Sequence, residues 1–288
     1  MADRQQLERD VEHLAGHIGE RNVYRYPKLV ETADFIERVF REHDCRPWRQ
    51  QYDAAGIKFA NLEATIVGRD LPREIVVIGA HYDTVRGSPG ANDNATGVAA
   101  LLGLMRMFAQ KQCSRTLRFV AFTNEERPFL RTKNMGSRVY ARGCRGRQEN
   151  VKAMLSLETI GYCSSEKGSQ WLSGYGLVYP SRANFIVFVA NHSSKQLLKQ
   201  ATDSFRRHAR VPYETATLPG FFPGAKSSDH WSFWKEGYPG LMVTDTAPLR
   251  YRHYHRQSDT PDKIRFDFLT DVVEGLEGVV SELAGTKS

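Results

Sequence analysis

Six short stretches of this chain read as strands, and several of them are nearly continuous in apolar residues: "NLEATIVG", "EIVVIGA", "TLRFVAFT", "KAMLSLE", "NFIVFVA" and "GLMVTDT". A strand with one face in water alternates apolar and polar side chains. A strand covered on both faces has no such need, and unbroken runs are its mark. Segments with apolar residues at helical spacing separate many of these runs, at 5–19, 28–43, 96–110, 194–209, 229–236 and 266–284. Buried strands alternating with amphipathic helices predict an α/β three-layer sandwich, a mostly parallel or mixed central sheet with helices on both faces. At 288 residues the chain is long enough for one large core. No linker rich in Pro, Gly or Ser divides it. A single domain over 1–288 is expected, with helices of 1–60 packed on the sheet and the reactive core in 61–288.

Composition narrows the function classes. Hydrophobic residues at 41% and charged residues at 25% are ordinary for a soluble domain. The longest apolar run, "GVAALLGLM", is too short to cross a bilayer and meets Arg106 at once, so no membrane partner is expected. The stretch "MADRQQLERDVEHLAGHIGER" lacks the apolar centre of a secretory signal, and the chain as given reads as cytoplasmic. Four cysteines, Cys45, Cys113, Cys144 and Cys163, lie far apart without a CxxC and read as free thiols. Cys144 in "RGCRGR" reads as part of a solvated loop, among cations that lower a thiol pKa. The net charge of +7 raises nucleic acid as a partner. The basic residues are scattered, however, and their densest cluster, "SRVYARGCRGR", holds one aromatic and no recognition motif, so none is expected.

In open α/β sheets, ligands gather just beyond the carboxyl ends of the strands. The reactive side chains of this sequence fall there. His81 follows "IVVIGA", Glu125 and Glu126 follow "TLRFVAFTN", Glu158 closes "KAMLSL", and His255 lies in the loop beyond "GLMVTDT". Singly, each has a plain explanation: a satisfied loop histidine, a solvated acidic pair, or, for Asp93 in "GANDNATG", a helix cap. Together, imidazoles and carboxylates arriving from four strand ends are suited to enclose two divalent cations. Zinc takes nitrogen from histidine and oxygen from Asp or Glu. Two neighbouring cations need a shared carboxylate between them, and Asp93, in a Gly-flanked turn, is the natural bridge.

"HYD", "GANDNATGVAALL", "FTNEE", "LETIGY", "SSDHWSFW" and "HYHRQSDT", in that order, resemble the co-catalytic di-zinc peptidases of metallopeptidase family 28. The resemblance runs from about Asn61 to the C-terminus and more faintly through the N-terminal helices. It implies a zinc exopeptidase fold and two Zn2+ per chain, with other divalent metals possible. One ion would be held by His81, Asp93 and Glu158, the other by Asp93, Glu126 and His255. Glu125 would be the general base, Asp83 would orient an imidazole, and Asp229 would support the site. The implied activity is aminopeptidase hydrolysis of peptides by a metal-activated water. Two alternatives share the fold: a single-zinc glutaminyl cyclase and a non-catalytic binding module.

One departure stands out. The family commonly has Thr after the metal histidine, and this chain has Arg256, preceded by Arg250 and Arg252. These arginines form either a solvated basic loop or a pocket lining that attracts a substrate carboxylate. The segments "GYGLVYPSRANF" and "TLPGFFPGAKSSDH" look like loops that shape specificity. Their Tyr175, Phe221 and Phe222 either wall an apolar pocket or pack on the sheet edge.

Overall fold

In the computed structural model, which describes residues 2–171, 180–219 and 223–286, the apolar runs lie in one mixed sheet. Its strands are β1 (Pro47–Ala54), β2 (Ile57–Ile66), β3 (Leu71–His81), β4 (Arg115–Phe122), β5 (Asn150–Glu158), β6 (Ile186–Ala190), β7 (Tyr213–Thr217) and β8 (Gly240–Thr244). They lie in the order β1-β2-β4-β3-β5-β8-β6-β7. The central four, β4, β3, β5 and β8, are mutually parallel. β1 and β2 continue one edge antiparallel, while β6 runs antiparallel to β8 and carries β7 at the other edge. In register, His81 faces Phe122 and Glu158 faces Thr244, so the central strands all end along one border.

The helices are α1 (Arg4–Val11), α2 (Tyr26–Glu42), α3 (Gly97–Phe108), α4 (Gly136–Gly146), α5 (Lys195–His208), α6 (His230–Lys235) and α7 (Phe266–Ala284). Side chains of α1, α2, α3, α5 and α7 share one core with Val76, Ile78 and Ala80 of β3. Those of α4 and α6 share the opposite core with Ile75 and Val77. Successive residues of β3 thus enter opposite apolar layers, which is why its sequence does not alternate.

Three elements differ from the sequence expectation. β1 and β7 are edge strands with mixed burial, so neither shows an apolar run. Residues 47–60, expected among N-terminal helices, instead build β1 and the start of β2. The stretch read as a basic loop around Cys144 is α4. Its buried stripe is Gly136, Ser137, Tyr140, Ala141 and Cys144, and its arginines lie on the other faces. Cys144 is buried there, and burial pushes its thiol pKa up rather than down. Tyr175, Phe221 and Phe222 lie outside the described residues.

Arg21 ties the N-terminal helices to the functional edge. Fully buried, its guanidinium donates to the carbonyls of Tyr82 (2.8 Å), Pro89 (2.6 Å), Gly90 (3.0 Å), Gly19 (3.0 Å) and Leu14 (3.2 Å). Its backbone N–H donates to Thr84 Oγ1 at 3.1 Å, and its carbonyl accepts from Thr84 N at 2.9 Å. Burial lowers its pKa to about 10, against the pull of Asp259, Asp83 and Asp93, so the side chain stays cationic at neutral pH. Arg21→Met strips donors from five carbonyls, three of them in buried bonds, and should lower unfolding free energy by about 3 kcal/mol or more. Arg21→Lys should rescue little, because an ammonium cannot reproduce the planar fork. Urea denaturation of the three proteins measures both.

Candidate metal centre

Each side chain at the carboxyl border is aimed by hydrogen bonds that the loops themselves supply. Asp93 sits in the turn before α3. Its backbone N–H and that of Asn92 donate to the two carboxylate oxygens of Asp259, at 3.1 and 2.9 Å. The flanking asparagines stitch the turn to the end of β5. Asn92 Oδ1 accepts from Gly161 N (2.9 Å), Asn94 Nδ2 donates to the Leu157 carbonyl (2.9 Å), and Asn94 Oδ1 accepts from Thr159 N (3.1 Å). Gly97 lets the helix approach β5 closely, since a Cβ there would lie 2.5 Å from the Leu157 carbonyl oxygen.

The two carboxylate oxygens of Asp93 meet two different imidazoles. Oδ1 lies 3.3 Å from His81 Nε2, and Oδ2 lies 3.0 Å from His255 Nε2. His81 Nε2 is also 3.3 Å from Glu158 Oε2, and His255 Nε2 is 3.3 Å from Glu126 Oε1. Within each trio, His81–Asp93–Glu158 and Asp93–Glu126–His255, one ligand atom per residue lies within 4.8 Å of the others. Glu158 is steadied by the Ser228 hydroxyl, which donates to Oε2 at 2.6 Å.

Asp83 has a different closest partner from the one expected. Its carboxylate accepts the backbone N–H groups of Glu125 (3.1 Å) and Glu126 (3.0 Å) and so fixes the turn that presents both glutamates. It lies 3.8 Å from His81 Nδ1, which is nearer to the Asp83 main-chain carbonyl at 3.1 Å. Asp229 is fully buried beneath the site, and neither of its oxygens has a well-formed hydrogen bond among the described residues. Burial raises its pKa to about 7.

Arg250 is buried rather than part of a solvated loop. Its guanidinium is buried, donating to Gln170 Oε1 and to the Phe185 carbonyl, each at 2.8 Å. Arg252 and Arg256 are exposed.

Electrostatics show what such a cluster needs. Asp93, Glu125, Glu126 and Glu158 are all buried. Burial opposes charging His81, but Glu158 and Asp93 overcome it and hold its pKa well above the usual range. Burial likewise opposes His255, and Asp93 and Glu126 push it up to about 10. Burial would raise Asp93, yet the two imidazoles hold it far below an ordinary carboxyl. Glu125 is held well above the carboxylate range, first by burial and then by neighbouring acids, including Glu126 and Glu158. Asp93 Oδ1 and Glu125 Oε1 are buried acceptors without a donor among the described residues. Crowded carboxylates, imidazole nitrogens and orphan oxygens together fit divalent cations, which satisfy acceptors and cancel repulsion at once.

Sequence reasoning did not single out Tyr254. Its ring stacks on His255 with centroids 3.8 Å apart. Burial first, then Asp93, Glu158, Glu126 and Glu125, hold its phenol pKa well above normal, so the hydroxyl stays protonated beside the acids. Asp259 stood within the quoted "HYHRQSDT" without an assigned contact. Its place at the end of a ligand-bearing loop was the available signal.

A mixed α/β sheet bordered by two histidines and a group of buried carboxylates is the architecture of zinc exopeptidases. Residues 61–280 match the model of peptidase family M28, and the chain belongs to that family. It is 33% identical to the uncharacterized protein YfbL of Escherichia coli (strain K12), across 96% of this chain and 87% of that one. It is 28% identical to the probable leucine aminopeptidase 1 of Trichophyton verrucosum, across 78% of this chain and 58% of the relative. The chain therefore spans less than two thirds of the fungal aminopeptidases it matches. Among solved structures, the LapA aminopeptidase of Legionella pneumophila superposes with a TM-score of 0.78 at 19% identity, over 98% of this chain and 72% of that one. The glutaminyl cyclase of Fimbriiglobus ruber superposes with a TM-score of 0.70 at 19% identity, over 97% and 95%. At those identities the likeness is one of fold.

His230, beside Asp229, gives a test of how dry this floor is. It is fully buried, its Nε2 lies 3.2 Å from the Ala225 carbonyl, and burial lowers its pKa from 6.5 to about 3. The native state keeps it neutral where the unfolded chain takes a proton. Its contribution is complete above about pH 6.5 and is lost as pH falls toward 3. Stability should drop by up to about 1.4 kcal/mol per pH unit below pH 6.5, and His230→Gln should flatten that slope in urea titrations at pH 5 and 7.

Proposed function

We propose that the chain is a two-zinc aminopeptidase. His81, Asp93 and Glu158 would hold one ion, and Asp93, Glu126 and His255 the other. Family membership, the aminopeptidase names of its relatives and the shared fold support a zinc exopeptidase. The observation that carries the two-ion reading is Asp93, whose separate oxygens meet separate imidazoles at 3.3 and 3.0 Å. A single-zinc cyclase has no use for the second trio, and a non-catalytic module has no need of Glu125.

Zinc at these ligands supplies Lewis acidity, lowering the pKa of a coordinated water and polarising a carbonyl. Glu125 accepts the proton released when water attacks the scissile carbonyl and returns it to the departing amine. Burial suits it to that exchange, because it lifts the carboxyl above its ordinary range and makes it a stronger base. Asp83 keeps Glu125 in place by holding its backbone N–H. Tyr254 offers a protonated phenol where negative charge develops on the carbonyl oxygen. The acids of the floor, Glu125 and Glu158 among them, favour a substrate that presents a free α-ammonium, which makes the action exopeptidic.

Elemental analysis of zinc-loaded protein should find close to two zincs per chain, and Asp93→Ala should lose both. Glu125→Gln should keep both ions yet lose about a thousandfold or more in kcat on an aminoacyl chromogenic substrate. Tyr254→Phe should lower kcat by about tenfold to a hundredfold at unchanged zinc content. One zinc per chain, or near-normal turnover by the Glu125 variant, would overturn the reading.

A further inference from the structure

One buried acid beside the site has no part in the proposed chemistry. Asp245 stands one residue beyond β8, is fully buried and belongs to neither ligand trio. Its backbone N–H donates to the Thr159 carbonyl at 2.7 Å, which sets it against the residue that follows Glu158. Its Oδ2 accepts from two other segments, the Asn92 side-chain amide and the backbone N–H of Tyr162, each at 2.9 Å. One oxygen thus joins the end of β8, the segment after β5 and the turn that carries Asp93.

Asn92 carries that hold to Asp93, its neighbour in the chain. A carboxylate accepts and does not donate, so Asp245 takes the NH2 end of the Asn92 amide and leaves the carbonyl end to Gly161 N, at 2.9 Å. The amide has one orientation as a result. Thr96 Oγ1 donates to the Asn92 main-chain carbonyl at 2.8 Å, and the Asn92 N–H goes to Asp259. The countercharge is Arg250, whose guanidinium donates only to neutral oxygens of Gln170, Ala183 and Phe185 among the described residues. Arg250 Nη2 and Asp245 Oδ1 are both buried without a well-formed hydrogen bond among the described residues. Burial lifts the Asp245 pKa to about 7 against the pull of Arg250, and lowers that of Arg250 to about 10 against the pull of Asp245. Each charge offsets part of the other's desolvation, and what the anion holds is the turn under the bridging ligand.

We infer that Asp245 is a positioning residue for the metal centre, aiming the bridging carboxylate of Asp93 through Asn92. The inference rests on the two-zinc reading. Asp93 serves both candidate trios, its oxygens lying 3.3 and 3.0 Å from separate imidazoles. A turn released by Asp245 moves both oxygens at once, so both ions are held less tightly. Asp259 grips the same turn by its backbone N–H groups, whereas Asp245 grips it by a side-chain amide, and the two holds are separable by substitution.

The test measures zinc affinity of the full chain by competition with a chromophoric chelator, alongside urea denaturation of the metal-free proteins. The wild type should bind two zincs. Asp245→Ala should weaken both by about tenfold to a hundredfold, the scale of lost partners behind metal ligands. Asp245→Asn, whose amide oxygen still accepts from Asn92 and Tyr162, should recover most of that affinity. Asn92→Ala should weaken both zincs at least as much as Asp245→Ala, and the double variant should be no weaker than Asn92→Ala alone, because the two residues act in one line. Should Asp245→Ala not fold, Asn92→Ser, which leaves Asp245 in place, carries the same expectation. A residue that only supports the fold would lower the urea midpoint and leave the zinc affinity of the folded protein as it was. That result, a loss confined to one ion, an Asp245→Asn variant as weak as Asp245→Ala, or losses that add in the double variant overturns the inference and spares the two-zinc reading. A wild type that holds fewer than two zincs overturns both.

Discussion

The site depends on one buried carboxylate that faces two ways. Asp93 turns one oxygen to His81 and the other to His255, and it is almost completely removed from water. A buried anion survives only when positive charge and donors surround it. Here that requirement fixes the rest. His81 must end β3, His255 must reach back from the loop beyond β8, and Glu158 and Glu126 must close the two sides. A carboxylate with a single partner would tolerate a shifted loop, whereas one shared between two trios tolerates very little.

The sheet makes that precision available because its central strands are parallel. Parallel strands bring their carboxyl ends to one border, and the loops leaving that border converge without crossing. The loops are then held by backbone donors and acceptors. Asp259 grips the Asn92–Asp93 turn, Asp83 grips the Glu125–Glu126 turn, and Arg21 grips the carbonyls of Tyr82, Pro89 and Gly90. In each case a buried charged side chain satisfies main-chain groups that no helix or strand satisfies. The site is thus surrounded by a second set of charges whose business is geometry.

The central sheet was readable because strands buried on both faces leave unbroken apolar runs, and the reactive residues fell at the ends of those runs. The edges were not readable in this way. β1 and β7 are half exposed, so neither leaves an apolar run, and the density of arginines in α4 hid a helix whose buried face is Tyr140, Ala141 and Cys144. The first contacts of the candidate site were legible from residue type and position. Asp83, Asp259 and Asn94 act through backbone groups, whose positions no side-chain pattern encodes. Arg250 misled for the same reason. Its place a few residues before His255 suggested a solvated basic loop or a pocket lining, while its guanidinium is buried against Gln170 and two carbonyls.

The same fold superposes on an aminopeptidase and on a glutaminyl cyclase, so architecture alone does not choose between hydrolysis and cyclisation. What separates them has to lie in individual side chains. A second cation is sustainable only if its anionic ligands outnumber what one ion neutralises, and this border supplies a second set. Asp93 and Glu126 are buried carboxylates on that second side, and His255 is their one imidazole partner there among the described residues. Glu125, buried and without a donor at Oε1, is hard to explain as scaffolding. On the proposed reading, a buried carboxyl whose oxygen no donor satisfies is suited to moving a proton rather than to holding the fold.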